Sequence, residues 1–213
     1  MTEEDNKPKQ KGFLAGNCRY NSFNHAIELI LDRKPEKIIE FGTMRKNSPN
    51  EGWSTITFAQ LSRIFGFEFH SIEVNKDNYN WAKSTLHEMQ LSEYATLHNE
   101  CQFTTISSNN SSYDFLFLDA VAKDIVLTVI LNHPNNFLND SAIILIDDCL
   151  PGIQLDNIFK VINASNNLKP ILPNKELDYN DEELKYLGSS KENPLNLGIL
   201  EYPTQIILEY KKL

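Results

Sequence analysis

No segment narrows the possible folds as much as Lys37-Ile38-Ile39-Glu40-Phe41-Gly42-Thr43. Apolar residues lead to a carboxylate and then a glycine, which reads as a short buried strand, an acid at its tip and a turn. The phrase returns further on as Phe69-His70-Ser71-Ile72-Glu73-Val74-Asn75, a second strand tipped by an acid. Between the two, Ser54 to Phe65 suits a helix. The result is a βαβ unit with a carboxylate at the carboxyl end of its second strand. An acid there commonly accepts hydrogen bonds from the two hydroxyls of an adenosine ribose. The pattern therefore points to an adenosine-containing cofactor.

Beyond this unit, strands and helices go on alternating. Tyr20 to Leu31 places Phe23, Ile27, Ile30 and Leu31 on one helical face, and Pro35 ends that helix. Ser54 or Thr55 suits the N-cap of the next helix. Strand two spans Glu68 to Val74, and Asn75 or Asp77 caps a helix through Met89. Tyr94 to His98 reads as strand three, Tyr113 to Asp119 as strand four and Ser141 to Ile146 as strand five. Ile125 to Leu131 and Leu155 to Ala164 read as helices, and residues 166–194 as a long loop. Leu195 to Tyr202 and Thr204 to Tyr210 read as two strands joined tightly at Pro203. The expected architecture is α/β: a Rossmann-like, doubly wound, seven-stranded sheet, mostly parallel, with a C-terminal antiparallel β-hairpin. Residues 1 to about 12 read as a disordered tail and residues 13–213 as a single domain.

Composition removes several classes of function. The net charge of −9 leaves no basic footprint for nucleic acid. The longest apolar stretches, such as Ala142 to Ile146, are too short to span a bilayer, so no membrane partner is expected. The three cysteines, Cys18, Cys101 and Cys149, are odd in number and widely spaced, which argues against a disulfide framework, and no CxxC pair suggests zinc. The amino terminus is acidic and polar, unlike a secretory signal, so the expected setting is cytoplasmic. GxSxG, GxxxxGK[ST] and HExxH are all absent, which leaves hydrolase, nucleoside-triphosphatase and zinc-protease chemistry without carriers.

Two groups of residues can carry chemistry. The first surrounds the βαβ unit. Gly42 lies where backbone must approach a ligand closely, or serves as a plain turn glycine. Ser54 and Thr55 offer hydroxyls and N–H groups at a helix start. Glu73 is the acceptor for the ribose diol. Trp53 stacks on a ligand or packs in the core. The second group is acidic. Asp119 ends strand four, and Asp147 and Asp148 end strand five, so all three converge on the sheet's ligand edge. Clustered carboxylates repel unless a cation sits among them, and oxygen ligands suit Mg²⁺, Ca²⁺ or Mn²⁺. Alternatively, Asp119 orients a ligand and the Asp pair caps a loop. Lys123, four residues after Asp119, is either a base for an acceptor hydroxyl or a surface lysine at a helix start.

At these positions the chain resembles the class I S-adenosylmethionine-dependent methyltransferases. The residues carrying the likeness are Glu40-Phe41-Gly42-Thr43, Gly52-Trp53-Ser54-Thr55, Ser71-Ile72-Glu73-Val74-Asn75, Asp114 to Asp119 and Ile144 to Asp148. The nearest likeness is to O-methyltransferases of the catechol and caffeoyl-coenzyme A type and their bacterial relatives. The resemblance implies S-adenosylmethionine as cofactor and methylation of an oxygen on a small-molecule acceptor. It implies a cofactor site of Glu40, Gly42, Thr43, Ser54, Thr55, Glu73, Val74, Asn99 and Asp119, with Glu100 and Cys101 beside the adenine. It also implies Mg²⁺ on Asp119, Asp147 and Asp148, catalytic roles for Asp119 and Lys123, and the homodimer common among bacterial relatives. The chain departs from the family in two places. Gly42 and Gly52 are separated by a long polar loop, and the catechol-type lysine lies one position earlier than Lys123. Two rivals remain: a dinucleotide-dependent oxidoreductase, which would need a GxGxxG turn that the chain lacks, and a non-catalytic module on the same fold.

Overall fold

Strands that are apolar at nearly every position need cover on both faces, and the molecule is built to provide it. The computed structural model describes residues 17–45, 53–149, 153–171 and 205–212. Five strands run parallel: β1 (Lys37–Phe41), β2 (Glu68–Ile72), β3 (Thr96–His98), β4 (Tyr113–Leu118) and β5 (Leu138–Ile146). Two more follow, β6 (Leu168–Pro170) and β7 (Ile206–Tyr210), and β7 is antiparallel to both β5 and β6. The seven strands form one sheet in the order β3-β2-β1-β4-β5-β7-β6. This is the doubly wound, mostly parallel architecture expected, with its antiparallel pair at the carboxyl end of the chain.

Alternation along the strands splits the core in two. Ile38, Phe69, Phe115, Phe117, Ile143 and Leu145 point to one face, where α1 (Asn17–Arg33), α2 (Trp53–Phe65) and α3 (Lys76–Glu88) cover them. Ile39, Phe41, Ile72, Leu116, Leu118, Ile144 and Ile146 point to the other, under α4 (Gln102–Ser108), α5 (Lys123–Leu131) and α6 (Ile153–Ala164). Phe58 of α2 is the hub of the first core, with its ring 5.5 to 5.8 Å from those of Phe23, Phe69, Phe115 and Phe117. Such tilted aromatic contacts add to the area buried. Among the described residues no helix is long and apolar enough to cross a membrane.

Several boundaries differ from expectation for identifiable reasons. β2 stops at Ile72, so Glu73 and Val74 leave the ladder and reach the rim. Helix α4 was not anticipated, because its seven residues, Gln-Phe-Thr-Thr-Ile-Ser-Ser, have poor helix propensity and are held by packing. β5 begins earlier, at Leu138, and crosses an irregular step at Ser141, whose φ is +65°. Residues 168–170, expected as loop, form β6 and pair with β7. The strand expected at Leu195 to Tyr202, the tail at 1–12, the turn at Pro203 and Gly52 all lie outside the described residues.

Candidate functional site

The winding of the sheet reverses between β1 and β4, which lie side by side while their connections run to opposite edges. In open α/β sheets the crevice outside the carboxyl ends of the strands at such a reversal is where ligands bind. Here that crevice is bounded by Gly42, just after β1, and Asp119, just after β4. Gly42 has φ +96°, and a Cβ built on it would lie 2.5 Å from the Asp119 carbonyl oxygen. The nearest claimant to the missing side chain's space is therefore the neighbouring backbone. The same stretch is tied by Asp119 N donating to Phe41 O at 2.9 Å and Gly42 N to Ile72 O at 2.9 Å.

Glu40, the last residue but one of β1, is fully buried. Its Oε2 accepts from Thr55 Oγ1 at 2.8 Å and from Ser71 Oγ at 2.6 Å. Thr55 Oγ1 in turn lies 2.9 Å from Thr43 Oγ1. Glu40 Oε1 has no hydrogen-bond partner, alone among the buried polar side-chain atoms of the described residues. Burial pushes this carboxyl up to about 7, against the opposing pull of the Ser54, Ser71 and Thr55 hydroxyls and with a further push from the Asp119 charge. Ser54 and Thr55 sit within the first turn of α2 rather than at its cap, and both are buried. Trp53 packs against the core beneath them.

Glu73 has left β2 and turns its carboxylate toward the β1 exit. Oε2 accepts from Thr43 N at 3.3 Å and Oε1 from Asn75 N at 2.7 Å. The carboxylate is thus oriented by main chain on both sides, and two N–H bonds leave lone pairs for a diol. Val74 beside it is 63% exposed, a free apolar surface at the rim. Asn99, after β3, is exposed at the rim. Its Nδ2 donates to the carbonyls of Glu73 at 2.8 Å and Val74 at 3.3 Å, so it braces the two strand exits. Glu100 Oε1 accepts from Thr105 Oγ1 of α4 at 2.9 Å, and Cys101 caps that helix by its backbone position.

The acidic group also converges as expected. One oxygen from each of Asp119, Asp147 and Asp148 lies within 4.8 Å of the others. Asp147 N donates to Leu118 O at 3.1 Å, which locks the β5 exit against β4. Asp148 and Ala122 both have left-handed backbone, with φ of +49° and +55°. Each such residue costs about 1–2 kcal/mol, and strain of this kind gathers at functional rims. The turn at Ala122 carries the chain into α5 and takes Lys123 inward. Lys123 is only 5% exposed, which removes the surface-lysine alternative. It and Asp147 both act electrostatically on Cys149, whose thiol burial pushes up to about 12.

Three residues of the site escaped sequence reasoning. Ser71 holds Glu40, and because β2 also carries Glu68 and His70 nothing local set it apart. Gln102 is buried at the first position of α4, directly after the β3 exit. Gln205, buried just before β7, donates from Nε2 to Asp147 Oδ1 at 2.7 Å. No short-range pattern announces a contact between residues 58 positions apart.

No protein-family model matches the chain, and no curated protein matches it in sequence. Solved structures do match. A Podospora anserina methyltransferase with S-adenosylhomocysteine bound superposes with a TM-score of 0.63 at 15% identity, covering 90% of this chain and 78% of that one. An O-methyltransferase from Bacillus cereus, in complex with the same product, gives 0.59 at 13% identity over 98% and 86%. The O-methyltransferase TomG from Streptomyces achromogenes, in complex with S-adenosylmethionine and involved in tomaymycin synthesis, gives 0.57 at 14% identity over 93% and 82%. At these identities the likeness speaks to architecture, and on that it agrees with the resemblance drawn from the sequence: the chain has the Rossmann-like fold of the S-adenosylmethionine-dependent O-methyltransferases.

Proposed function

We propose that the protein is an S-adenosylmethionine-dependent methyltransferase that methylates an oxygen of a small molecule, assisted by a divalent cation. The observation that carries this reading is Glu73. Its carboxylate stands at the carboxyl end of β2, oriented by Thr43 N and Asn75 N beside the point where the sheet reverses. That is the position and chemistry a ribose diol requires. Fold likeness to proteins solved with S-adenosylhomocysteine or S-adenosylmethionine supports the choice of cofactor.

The residues present suit that cofactor. Glu73 accepts from the ribose hydroxyls, with Val74 as an apolar flank and Asn99 keeping the two strand exits together. Glu40 has one buried oxygen without a partner, which fits the cationic amino-acid end of the donor near Gly42, Thr43, Ser54 and Thr55. When bound, the cofactor supplies a methyl group already activated on a sulfonium. The chain's share of the work is to align the acceptor oxygen in line with that methyl and to exclude water. The donor set of three carboxylates suits Mg²⁺, a hard cation that favours oxygen ligands. Asp119, Asp147 and Asp148 would hold it, and the ion would stabilise a deprotonated acceptor oxygen. We assign Lys123, buried at the start of α5, to the acceptor's proton, and Asp119 to positioning between cofactor and acceptor.

Titration calorimetry tests the reading directly. The expected result is binding of S-adenosylhomocysteine and S-adenosylmethionine, with none of NAD. Binding of NAD instead, or of no nucleotide at all, would overturn the methyl-donor assignment in favour of a dinucleotide enzyme or a non-catalytic module.

A further inference from the structure

We infer that His70 and His98 form a proton-sensitive latch, which holds the edge strand β3 beside the Glu73 carboxylate and opens when both imidazoles are protonated. The tie to Glu73 rests on the ribose contact proposed above, and the latch itself rests on the sheet alone.

β3 has three residues and lies at the edge of the sheet, paired only with β2. So short a ladder gains from side-chain contacts across it. His70 of β2 and His98 of β3 supply one, with Nδ1 of the first 3.1 Å from Nε2 of the second. The rings are 14° from parallel and their centres are 5.3 Å apart. Centres that far apart, with nitrogens that close, set the imidazoles edge to edge in nearly one plane. Each inward nitrogen is aimed at the other. A metal ion in line between them would need two metal–nitrogen distances of about 2.0–2.1 Å, more than the gap holds. The space takes a single proton, donated by one ring and accepted by the other.

The outward nitrogens face carboxylates. His70 Nε2 is 3.8 Å from Glu68 Oε2, and His98 Nδ1 is 3.9 Å from Glu100 Oε1. A pair with one extra proton therefore turns an N–H toward each acid and keeps one proton between the rings. A second extra proton sets N–H against N–H and puts two positive charges side by side, which drives the rings apart. Two other ionisable groups face the pair. Lys37 of β1 lies 3.0 Å from Glu68, and the Tyr113 ring of β4 meets His70 edge-on at 5.8 Å. Helix α4, which covers this face, carries no ionisable side chain. Burial holds His70 below the ordinary imidazole value of 6.5, the charges of His98 and Lys37 add to this, and Glu68 opposes it. The folded protein thus resists the second proton, and the latch weakens as pH falls below 6.5.

The backbone passes the state of the latch to the ligand rim. His98 O accepts from Glu73 N at 2.9 Å, and Asn99 Nδ2 donates to the carbonyls of Glu73 and Val74. When the rings separate, the strand against which Glu73 is set loses its side-chain anchor.

The test compares the full-length wild type with His98→Gln at about pH 7.5 and about pH 5. Glutamine sets its amide in the place of Nε2 and bonds His70 whether or not His70 carries a second proton. The variant therefore keeps the latch and removes its proton sensitivity. In the wild type, protection of the amides of residues 96–98 against hydrogen exchange should fall about tenfold on acidification, the effect of losing one hydrogen bond. Affinity for S-adenosylhomocysteine, read by calorimetry, should fall with it. In His98→Gln the protection should hold and the affinity should fall less. Glu40 titrates in the same window in both proteins, so the difference between their affinity profiles isolates the latch. Identical affinity profiles overturn the inference, as does failure of His98→Gln to fold. Constant protection of residues 96–98 in the wild type also overturns it, whatever becomes of the methyl-donor reading. Absence of S-adenosylhomocysteine binding at either pH would remove that reading and the tie to Glu73, with the latch still judged by exchange.

Discussion

Gly42 and Asp119 pass each other so closely that a methyl group on the glycine would lie 2.5 Å from the aspartate's carbonyl oxygen. The contact sets the distance between the two lips of the ligand crevice. Gly42→Ala must also hold an L side chain at φ +96°. We expect a loss of about 1–3 kcal/mol in folding stability, measurable by urea denaturation. Affinity for S-adenosylhomocysteine should fall as well, because the variant has to push Asp119 aside. An alanine variant with wild-type stability would contradict the geometry.

Glu73→Ala should leave the fold intact, since Glu73 lies after β2 and outside the ladder. It removes the acceptor of Thr43 N and Asn75 N together with the proposed ribose contact. Hydrogen bonds to charged groups contribute about 1.5–3 kcal/mol each, so affinity for S-adenosylhomocysteine should weaken about tenfold or more. Calorimetry gives the affinity and circular dichroism checks the fold. Unaltered affinity would take Glu73 out of the site.

Glu40 makes stability depend on pH in a window set by its own titration. Its carboxyl is raised from 4.5 in a free chain to about 7 by burial, so the folded protein holds the proton more tightly than the unfolded one. This contribution is fully present below pH 4.5 and is lost as pH rises through about 7. The loss amounts to at most about 3 kcal/mol. Denaturation at pH 5 and pH 8 should show it in the wild type and not in Glu40→Gln. Equal pH slopes in the two proteins would mean that Glu40 titrates normally.

Asp148→Asn removes one charge from the acidic triad without changing its shape. Mn²⁺ affinity should drop about tenfold or more, as one Coulomb partner of the ion is lost. Affinity for S-adenosylhomocysteine, read by calorimetry, should not change. Equal Mn²⁺ affinity in variant and wild type would argue that the triad serves the loop and not an ion.

The features that could be read from the sequence were those governed by short-range physics. The largely apolar runs at 37–41 and 113–118 and the Phe69, Ile72 alternation of 68–72 marked three strands, and the acids and glycine at their tips marked the rim. Asn75 was legible as a cap because Asn at that place bonds the N–H groups of residues 77 and 78. What stayed hidden depended on distant partners. Lys123 could not be placed inside or outside without knowing that Ala122 adopts a left-handed turn. β6 is three residues long and exists through its ladder with β7. Gln205 acquires its role from Asp147, which no local pattern connects to it. Gly42 reads from the sequence as a point where backbone approaches a ligand or as a plain turn glycine, and the group lying against it in the structure is the backbone of Asp119.

β7 is the last strand in sequence yet an interior strand in the sheet, wedged between β5 and β6. A nascent chain completed only through Pro170 holds the other six strands described but leaves the β5 edge open and gives β6 nothing to pair with. That unprotected edge is a template for wrong pairing with another molecule. Chaperone capture during synthesis should therefore concentrate on this border until Ile206 to Tyr210 arrive.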